Sequence, residues 1–301
     1  MSVVSVINYK GGVGKTTLTA NIGAELAYRG RTVLLIDLDP QASLTFSFFQ
    51  PEVWAEELAD DHTILQWFGS MLTPGGSQEP LRKYVLTPPV INEIVRRQGE
   101  GRLDLIASNL DLIEVDLEFA AQLGGSRFQH GSPRYLELHR VLADALADPA
   151  FDEYDLVLID CPPNFAMVTR TAIVASEHLL VPAKPDYLST LGISYLRQRL
   201  SALINDYNRV APVPINPEII GVVFNMVQYA STGPITALRD FLTLPQTIEI
   251  PVFNQRIREN KTLFAPAGEQ GVPAVLIPNG NVTVQYELQQ LASELLAKIR
   301  A

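Results

Sequence analysis

Cysteine is almost absent: Cys161 is the only one in 301 residues. A single thiol excludes an intrachain disulfide framework and any cluster or metal site built from several cysteines of one chain. Histidine is nearly as scarce, and His62, His130, His139 and His178 show no metal-ligand spacing. No apolar run approaches the roughly 18 residues that span a bilayer. The opening residues, MSVVSVINYK, lack the basic flank, long apolar core and cleavage site of a signal peptide. The expectation is a cytoplasmic protein with no membrane partner. Basic residues are also short, with 23 Lys and Arg against 33 Asp and Glu and a formal net charge of −10. So acidic an average does not attract nucleic acid as a whole, so DNA contact would need a local basic patch.

Hydrophobic residues are plentiful, at 47% against 19% charged, enough for a sizeable core. Residues 2–7, SVVSVI, read as a strand covered on both faces. A glycine-rich turn follows, then a helical pattern closed by Gly30 as a C-cap, then the buried strand RTVLLIDLDP. That order predicts an α/β fold with a doubly wound, mostly parallel sheet flanked by helices. Further strands are predicted at 103–108, 154–161, 178–183, 218–225 and 246–250. Helices are predicted at 112–123, 133–147, 166–176, 188–207, 233–243 and 283–300. Alternation runs to the end, so 1–301 is expected to be one domain, with a partly helical insertion around 46–102 at a sheet edge.

The chemistry is concentrated in KGGVGKTT, residues 10–17. The ordinary phosphate loop reads G-x-x-x-x-G-K-S/T. Gly14, Lys15 and Thr16 fit it, but Tyr9 replaces the first glycine and Lys10 adds a charge. Gly11, Gly12 and Gly14 let backbone N–H groups around Val13 turn inward as an anion nest. The helix starting near Lys15 and Thr17 adds its positive end. Lys15 suits the β and γ oxygens of a triphosphate, and the Thr16 hydroxyl suits Mg²⁺. One crossover later, Asp37 and Asp39 are delivered to the same end of the sheet, where carboxylates can hold Mg²⁺ and orient a water. Asp160 closes the apolar strand YDLVLIDC as a Walker B acid would, with an N-cap role as the alternative. Cys161 reads as a small buried hydrophobe.

These blocks, with LIASNLDL, LLVPAKPDYLSTLGI and GVVFN, resemble the ParA family of deviant Walker A ATPases, relatives of MinD. The likeness covers most of the chain, is poor over 46–102 and 124–134, and is loose after 226. The resemblance implies an ATP hydrolase using ATP/ADP and Mg²⁺, slow alone and stimulated by a ParB-like or adaptor protein. It implies an ATP-bound homodimer in which Lys10 crosses to the partner's phosphates. Asp39 corresponds to the aspartate needed for hydrolysis and Asp160 to the Walker B acid. Asn225 falls where the family recognises adenine, though a plain strand-end asparagine fits equally, and Pro251 begins a loop that borders the base. DNA-segregating members bind nonspecific double-stranded DNA and associate with the nucleoid. Here that would use Arg256, Arg258 and Lys261, or Arg197 and Arg199, unless either cluster is a solvated helix face. The alternative is a MinD-like membrane-cycling ATPase, which wants a strongly basic terminal amphipathic helix. Residues 285–301 carry only Lys298 and Arg300 against Glu287 and Glu294, so packing on the sheet is expected instead. With the loop this near the start, no N-terminal helix-turn-helix segment is expected.

Overall fold

The computed structural model describes residues 1–72, 79–124, 133–230, 233–235, 241–242, 249–264 and 271–300. Six strands form one sheet: β1 Ser2–Val6, β2 Thr32–Asp37, β3 Arg102–Ile106, β4 Leu156–Asp160, β5 His178–Ala183 and β6 Glu218–Phe224. Their spatial order is β3-β2-β4-β1-β5-β6, and every pairing is parallel. Strand order reverses at β1, so the loop leaving β1 opens into the crevice where open α/β sheets bind ligands.

Both faces of the sheet are covered, which is why its strands are apolar without alternation. Val3 and Ile7 point to one core, with Val157, Ile159, Leu179 and Val181. Val4 and Val6 point to the other, with Leu35, Leu105, Leu158 and Leu180. The first core is roofed by α2 Ile64–Leu72, α4 Leu112–Gln122, α5 Pro133–Leu146, α6 Met167–Ala175 and α7 Tyr187–Asn208. The second is roofed by α1 Lys15–Tyr28, α3 Pro89–Arg96 and α8 Val282–Lys298.

Helix α1 ends as its sequence suggests. Gly30 adopts φ +87, and the Gly30 and Arg31 N–H groups donate to the Ala27 and Leu26 carbonyls. Helix α8 buries Leu288, Leu291 and Leu295 against α1, so its apolar face is already used.

The stretch 46–102 runs past the β3 edge. Leu86 and Leu105 exchange both backbone hydrogen bonds at 2.8 Å, so the edge strand does not stand open there. Trp67 and Phe68 of α2 enter one core, and Ile91 and Val95 of α3 the other. A polar network ties this stretch to the sheet. Asp104, 1% exposed, accepts from Arg102 Nε at 2.8 Å, the Tyr154 hydroxyl at 2.6 Å and the Thr87 hydroxyl at 2.7 Å.

Two elements differ from expectation. The strand at 246–250 is not found where it was predicted: Glu249 is in a turn, and residues 246–248 lie outside the described residues. Pairing with β6 instead falls at 251–253, where the Val222 N–H donates to the Pro251 carbonyl and the Phe253 N–H to Val222. The helix expected from 233 does not begin there. Gly233–Pro234 (β8) instead pairs antiparallel with Tyr229–Ala230 (β7). Residues 236–240 and 243 of that expected helix lie outside the described residues.

Candidate nucleotide site

The loop after β1 is anchored from both sides. Asn8, 2% exposed, donates through Nδ2 to the Pro182 carbonyl at the end of β5 and accepts the Lys10 N–H at 2.9 Å. Asn225, at the end of β6, donates to the Val13 carbonyl at 3.1 Å. Gly14 has φ +88, and a Cβ there would lie 2.0 Å from Asn225 Nδ2. Only glycine fits that position, both for its backbone angle and for the approach of Asn225. Gly14 caps α1 with no side-chain hydrogen bond and no acid in the first turn. The first N–H groups of α1 therefore face a cleft of about 510 Å³, bordered by Gly11, Gly12, Lys15, Thr16, Thr17 and Asp39.

The cleft floor is charged and buried. Lys15 is 6% exposed, and its pKa is lowered by burial, opposed by the charges of Asp160 and Asp39. Asp160 is fully buried and accepts the Thr16 hydroxyl on Oδ2 at 2.6 Å. Its Oδ1 has no hydrogen-bond partner among the described residues. Burial, then the charge of Asp37 beside it, pushes the Asp160 carboxyl well above the usual range. An unpartnered carboxylate oxygen next to a threonine hydroxyl fits the donor set of a hard divalent cation that keeps several waters.

Asp37 requires a correction. It was expected with the metal set, but it is fully buried and its oxygens are already engaged. Oδ2 accepts the Thr45 N–H and hydroxyl, both at 2.8 Å, and Oδ1 accepts the Asp39 N–H at 3.1 Å. Burial raises its pKa to about 7 against those hydrogen bonds. Its work is to fold the 38–45 loop so that Asp39 reaches the cleft. Asp39 is half-buried on the cleft wall, and its Oδ1 accepts the Gln41 N–H at 3.0 Å.

Lys10 does not line the cleft. Its Nζ lies 2.9 Å and 2.8 Å from the two carboxylate oxygens of Asp186, which also caps α7 by accepting the Ser189 N–H at 2.8 Å. Burial alone would raise the Asp186 pKa, but the Lys10 and Ser189 hydrogen bonds outweigh it and hold it below the usual value. Tyr9, in the place of the ordinary first glycine, stacks on Phe165 at 5.8 Å and meets the edge of Tyr195 at 4.7 Å. Sequence reasoning missed Asp186, although its block was among those matched.

Base-side expectations also shift. The Asn225 amide is spent on Val13, and Pro251 lies outside the cleft lining with its carbonyl on Val222. Met226, Phe264 and Pro273 line that end instead. Proximity in space, not a local motif, brings them there, so no sequence signal marked them.

The basic clusters are partly committed. Arg258 donates from Nε to Glu287 at 2.7 Å and lies over the Tyr229 ring at 4.9 Å. Arg199 turns onto Phe165, 5.9 Å from the ring centre. Arg256 is half-buried, whereas Lys261 is 89% exposed and Arg197 is exposed. No helix among the described residues is long and apolar enough to cross a membrane.

Comparison with known proteins agrees with this geometry. The profile of the AAA domain family matches residues 1–211. The cell division protein PomZ of Myxococcus xanthus is 28% identical over 297 residues, covering 98% of this chain and 78% of that protein. The sporulation initiation inhibitor protein Soj of Bacillus subtilis is 27% identical over 199 residues, covering 64% of this chain and 62% of that one. Several other curated relatives are longer, and the chain spans about half their length. Among solved structures, cobyrinic acid a,c-diamide synthase from Mycobacterium smegmatis, with bound ADP and magnesium, superposes with a TM-score of 0.67. It is 26% identical and covers 100% of this chain and 96% of that one. With the phosphate loop, the Thr16–Asp160 pair and the second lysine in place, the chain belongs to the AAA domain family, among its ParA-like P-loop members.

Proposed function

We propose that the chain is a Mg²⁺-dependent ATP hydrolase of the ParA type. It forms ATP-dependent sandwich dimers that segregate or position DNA or another cargo, and a ParB-like or adaptor protein stimulates its turnover. The observation that carries this reading is the division of labour between two lysines of one loop. Lys15 is buried in the chain's own cleft, while Lys10 stands outside it on a half-exposed ion pair. A flexible cation that does not serve its own cleft is suited to serve a neighbour's, as an arginine finger does.

In this reading the N–H groups of Gly11 to Thr16 bind the phosphates, and Lys15 neutralises their charge. Thr16 and Asp160 would hold Mg²⁺, with Asp39 oriented to position the attacking water. A bound divalent cation would supply charge neutralisation at the phosphates. Phe264, Pro273 and Met226 offer the apolar walls a base needs. The packing of α8 against α1 favours this reading over membrane cycling, because the leucine stripe of that helix, Leu288, Leu291 and Leu295, is already buried. Of the basic residues considered, Lys261 and Arg197 are the exposed ones, and dimerisation would double them. Such a patch gives a log–log salt slope of about −0.9 per phosphate neutralised.

The decisive experiment is Lys10→Ala, followed by ATP binding, phosphate release and sedimentation. Retained ATP binding with lost hydrolysis is expected; full hydrolysis by a strict monomer overturns the reading. A flat salt dependence, or no ATP-dependent DNA shift at low salt, rejects the DNA part alone.

A further inference from the structure

The block LIASNLDL, residues 105–112, takes no part in lining the nucleotide cleft, yet Ser108 and Asn109 within it are buried, 0% and 6% exposed. Both lie just beyond the end of β3, and both reach into the stretch 46–102. The Asn109 side chain donates to the Ala59 carbonyl at 2.8 Å. The Ser108 carbonyl accepts the Trp54 indole N–H at 3.0 Å, and the Trp54 ring stands edge-on to Phe46 at 5.5 Å. Trp54–Leu58 is wound as a π turn, closed by the Ala59 N–H on the Trp54 carbonyl at 2.8 Å. Such turns are uncommon and concentrate at functional sites. This dock is separate from the Asp104 network, which holds the same stretch at Thr87.

Ser108 also faces inward. Its N–H donates to the Thr45 hydroxyl oxygen at 2.9 Å, and its own hydroxyl donates to the Asp39 carbonyl at 2.8 Å. The Asp39 backbone is thereby held at both ends. Asp37 accepts its N–H, and its carbonyl accepts Ser108 together with the Ala42 N–H at 2.8 Å. The turn so held is not one the chain adopts freely. Ala42 has φ +51, a left-handed angle that is unfavourable for a non-glycine residue and persists only where the surroundings impose it.

We propose that Ser108 is a positioning residue for Asp39, itself held in place by the Trp54–Ala59 turn, so that this part of the 46–102 stretch governs ATP turnover. The catalytic consequence rests on the role given to Asp39 above, whereas the hydrogen-bonded link does not. A side chain that orients a water must be held to within about 0.5 Å, and turning the Asp39 peptide carries its carboxylate along. The phosphate contacts of Gly11 to Thr16 do not involve Ser108, so its loss falls on turnover and not on binding.

The test is phosphate release by the full chain at saturating ATP and Mg²⁺, with ATP binding followed by equilibrium dialysis. The variants are Ser108→Ala, Trp54→Phe and the two combined. Ser108→Ala should lower kcat about tenfold while the ATP dissociation constant stays within about twofold. Trp54→Phe keeps an aromatic ring but loses the N–H, and should lower kcat about threefold. The double variant should be no slower than Ser108→Ala, because the two bonds act in series. Hydrogen exchange of residues 38–45 should quicken about fivefold or more in each variant, and it reads the link whether or not Asp39 is catalytic. Parental kcat and exchange in Ser108→Ala, or a loss confined to ATP binding, overturns the proposal. Parental kcat and exchange in Trp54→Phe overturns the part given to the 46–102 stretch. Asp39→Ala, run alongside, separates the two failures. Normal turnover there rejects the role of Asp39, whereas an inactive Asp39→Ala beside a fully active Ser108→Ala rejects the positioning alone. If Ser108→Ala does not fold, Trp54→Phe and its exchange decide the matter.

Discussion

Replacing Asp186 by Asn removes the charge that holds Lys10 while leaving the helix cap, since asparagine caps as well as aspartate. The Lys10 and Asp186 side chains are 29% and 40% exposed. A pair that open to water contributes about 0.2–1 kcal/mol. The monomer should therefore lose little stability, on the order of 1 kcal/mol at most. If Lys10 must leave Asp186 to cross into a partner's cleft, a dimer breaks two such pairs. Releasing both in advance removes about 0.4–2 kcal/mol from the cost of dimerisation, which is roughly a twofold to thirtyfold lower dimer dissociation constant. Sedimentation equilibrium with ATP, in a background carrying Asp39→Ala to suppress turnover, measures this directly. A dimer constant that is unchanged or weaker in Asp186→Asn would refute the idea that this ion pair opposes assembly.

Gly14→Ala should fold but lose nucleotide binding, because the added carbon meets Asn225 and the backbone angle of +88 strains any other residue; equilibrium dialysis with labelled ATP checks this. Asn225→Ala leaves the Val13 carbonyl without its donor and should cost about 1–3 kcal/mol of stability together with weaker ATP binding, read by denaturant titration and dialysis. Asp104→Ala uncouples the 46–102 stretch from the sheet by stripping Arg102, Tyr154 and Thr87 of a shared acceptor. Breaking a buried charged network costs about 3–5 kcal/mol, so calorimetry should show a melting temperature lower by roughly 6–15 °C with ATP turnover per folded molecule preserved. Asp39→Ala should trap the ATP-bound dimer with little phosphate release, and normal turnover in that variant would reject the role given to Asp39.

The sheet was legible because its strands are buried on both faces and are dominated by β-branched residues and leucine, with few interruptions such as Ser5, Asp104 and Gly221. Strand β1, helix α1 and strand β2 could be read almost residue by residue. So could the floor of the cleft: Gly14, Lys15 and Thr16 form a local pattern, and Asp160 ends a run that can only be a central strand. Legibility failed where a role depends on what a side chain meets across the fold. Asp37 and Asp39 look equivalent in LLIDLDP, yet Asp37 is the last residue of β2 and lies beneath the loop, where Thr45 consumes it, while Asp39 is beyond the strand. Arg258 and Arg199 read as surface charge, but Glu287 and Phe165, distant in sequence, claim them. Phe264 and Pro273 carry no motif and reach the cleft through the fold of the chain between β6 and α8.

The two lysines of the loop are held by opposite means, and the difference has an energetic logic. Lys15 follows Gly14 into α1, which packs on the sheet, and faces a buried carboxylate, so moving it would leave an uncompensated buried charge at a cost of several kcal/mol. It cannot be a moving part. Lys10 sits three residues before the tether of Asn225 on Val13, beyond Gly11 and Gly12, and its ion pair with Asp186 is worth about as much as a single surface contact. That is weak enough to open when a better anion is offered and strong enough to keep the side chain off its own cleft meanwhile. Tyr9 completes the arrangement: its stack on Phe165 fixes the backbone from which Lys10 departs, so only the side chain has to swing. An ordinary glycine at that position would leave the departure point loose, and Tyr9→Gly should accordingly slow dimer-dependent hydrolysis without weakening ATP binding.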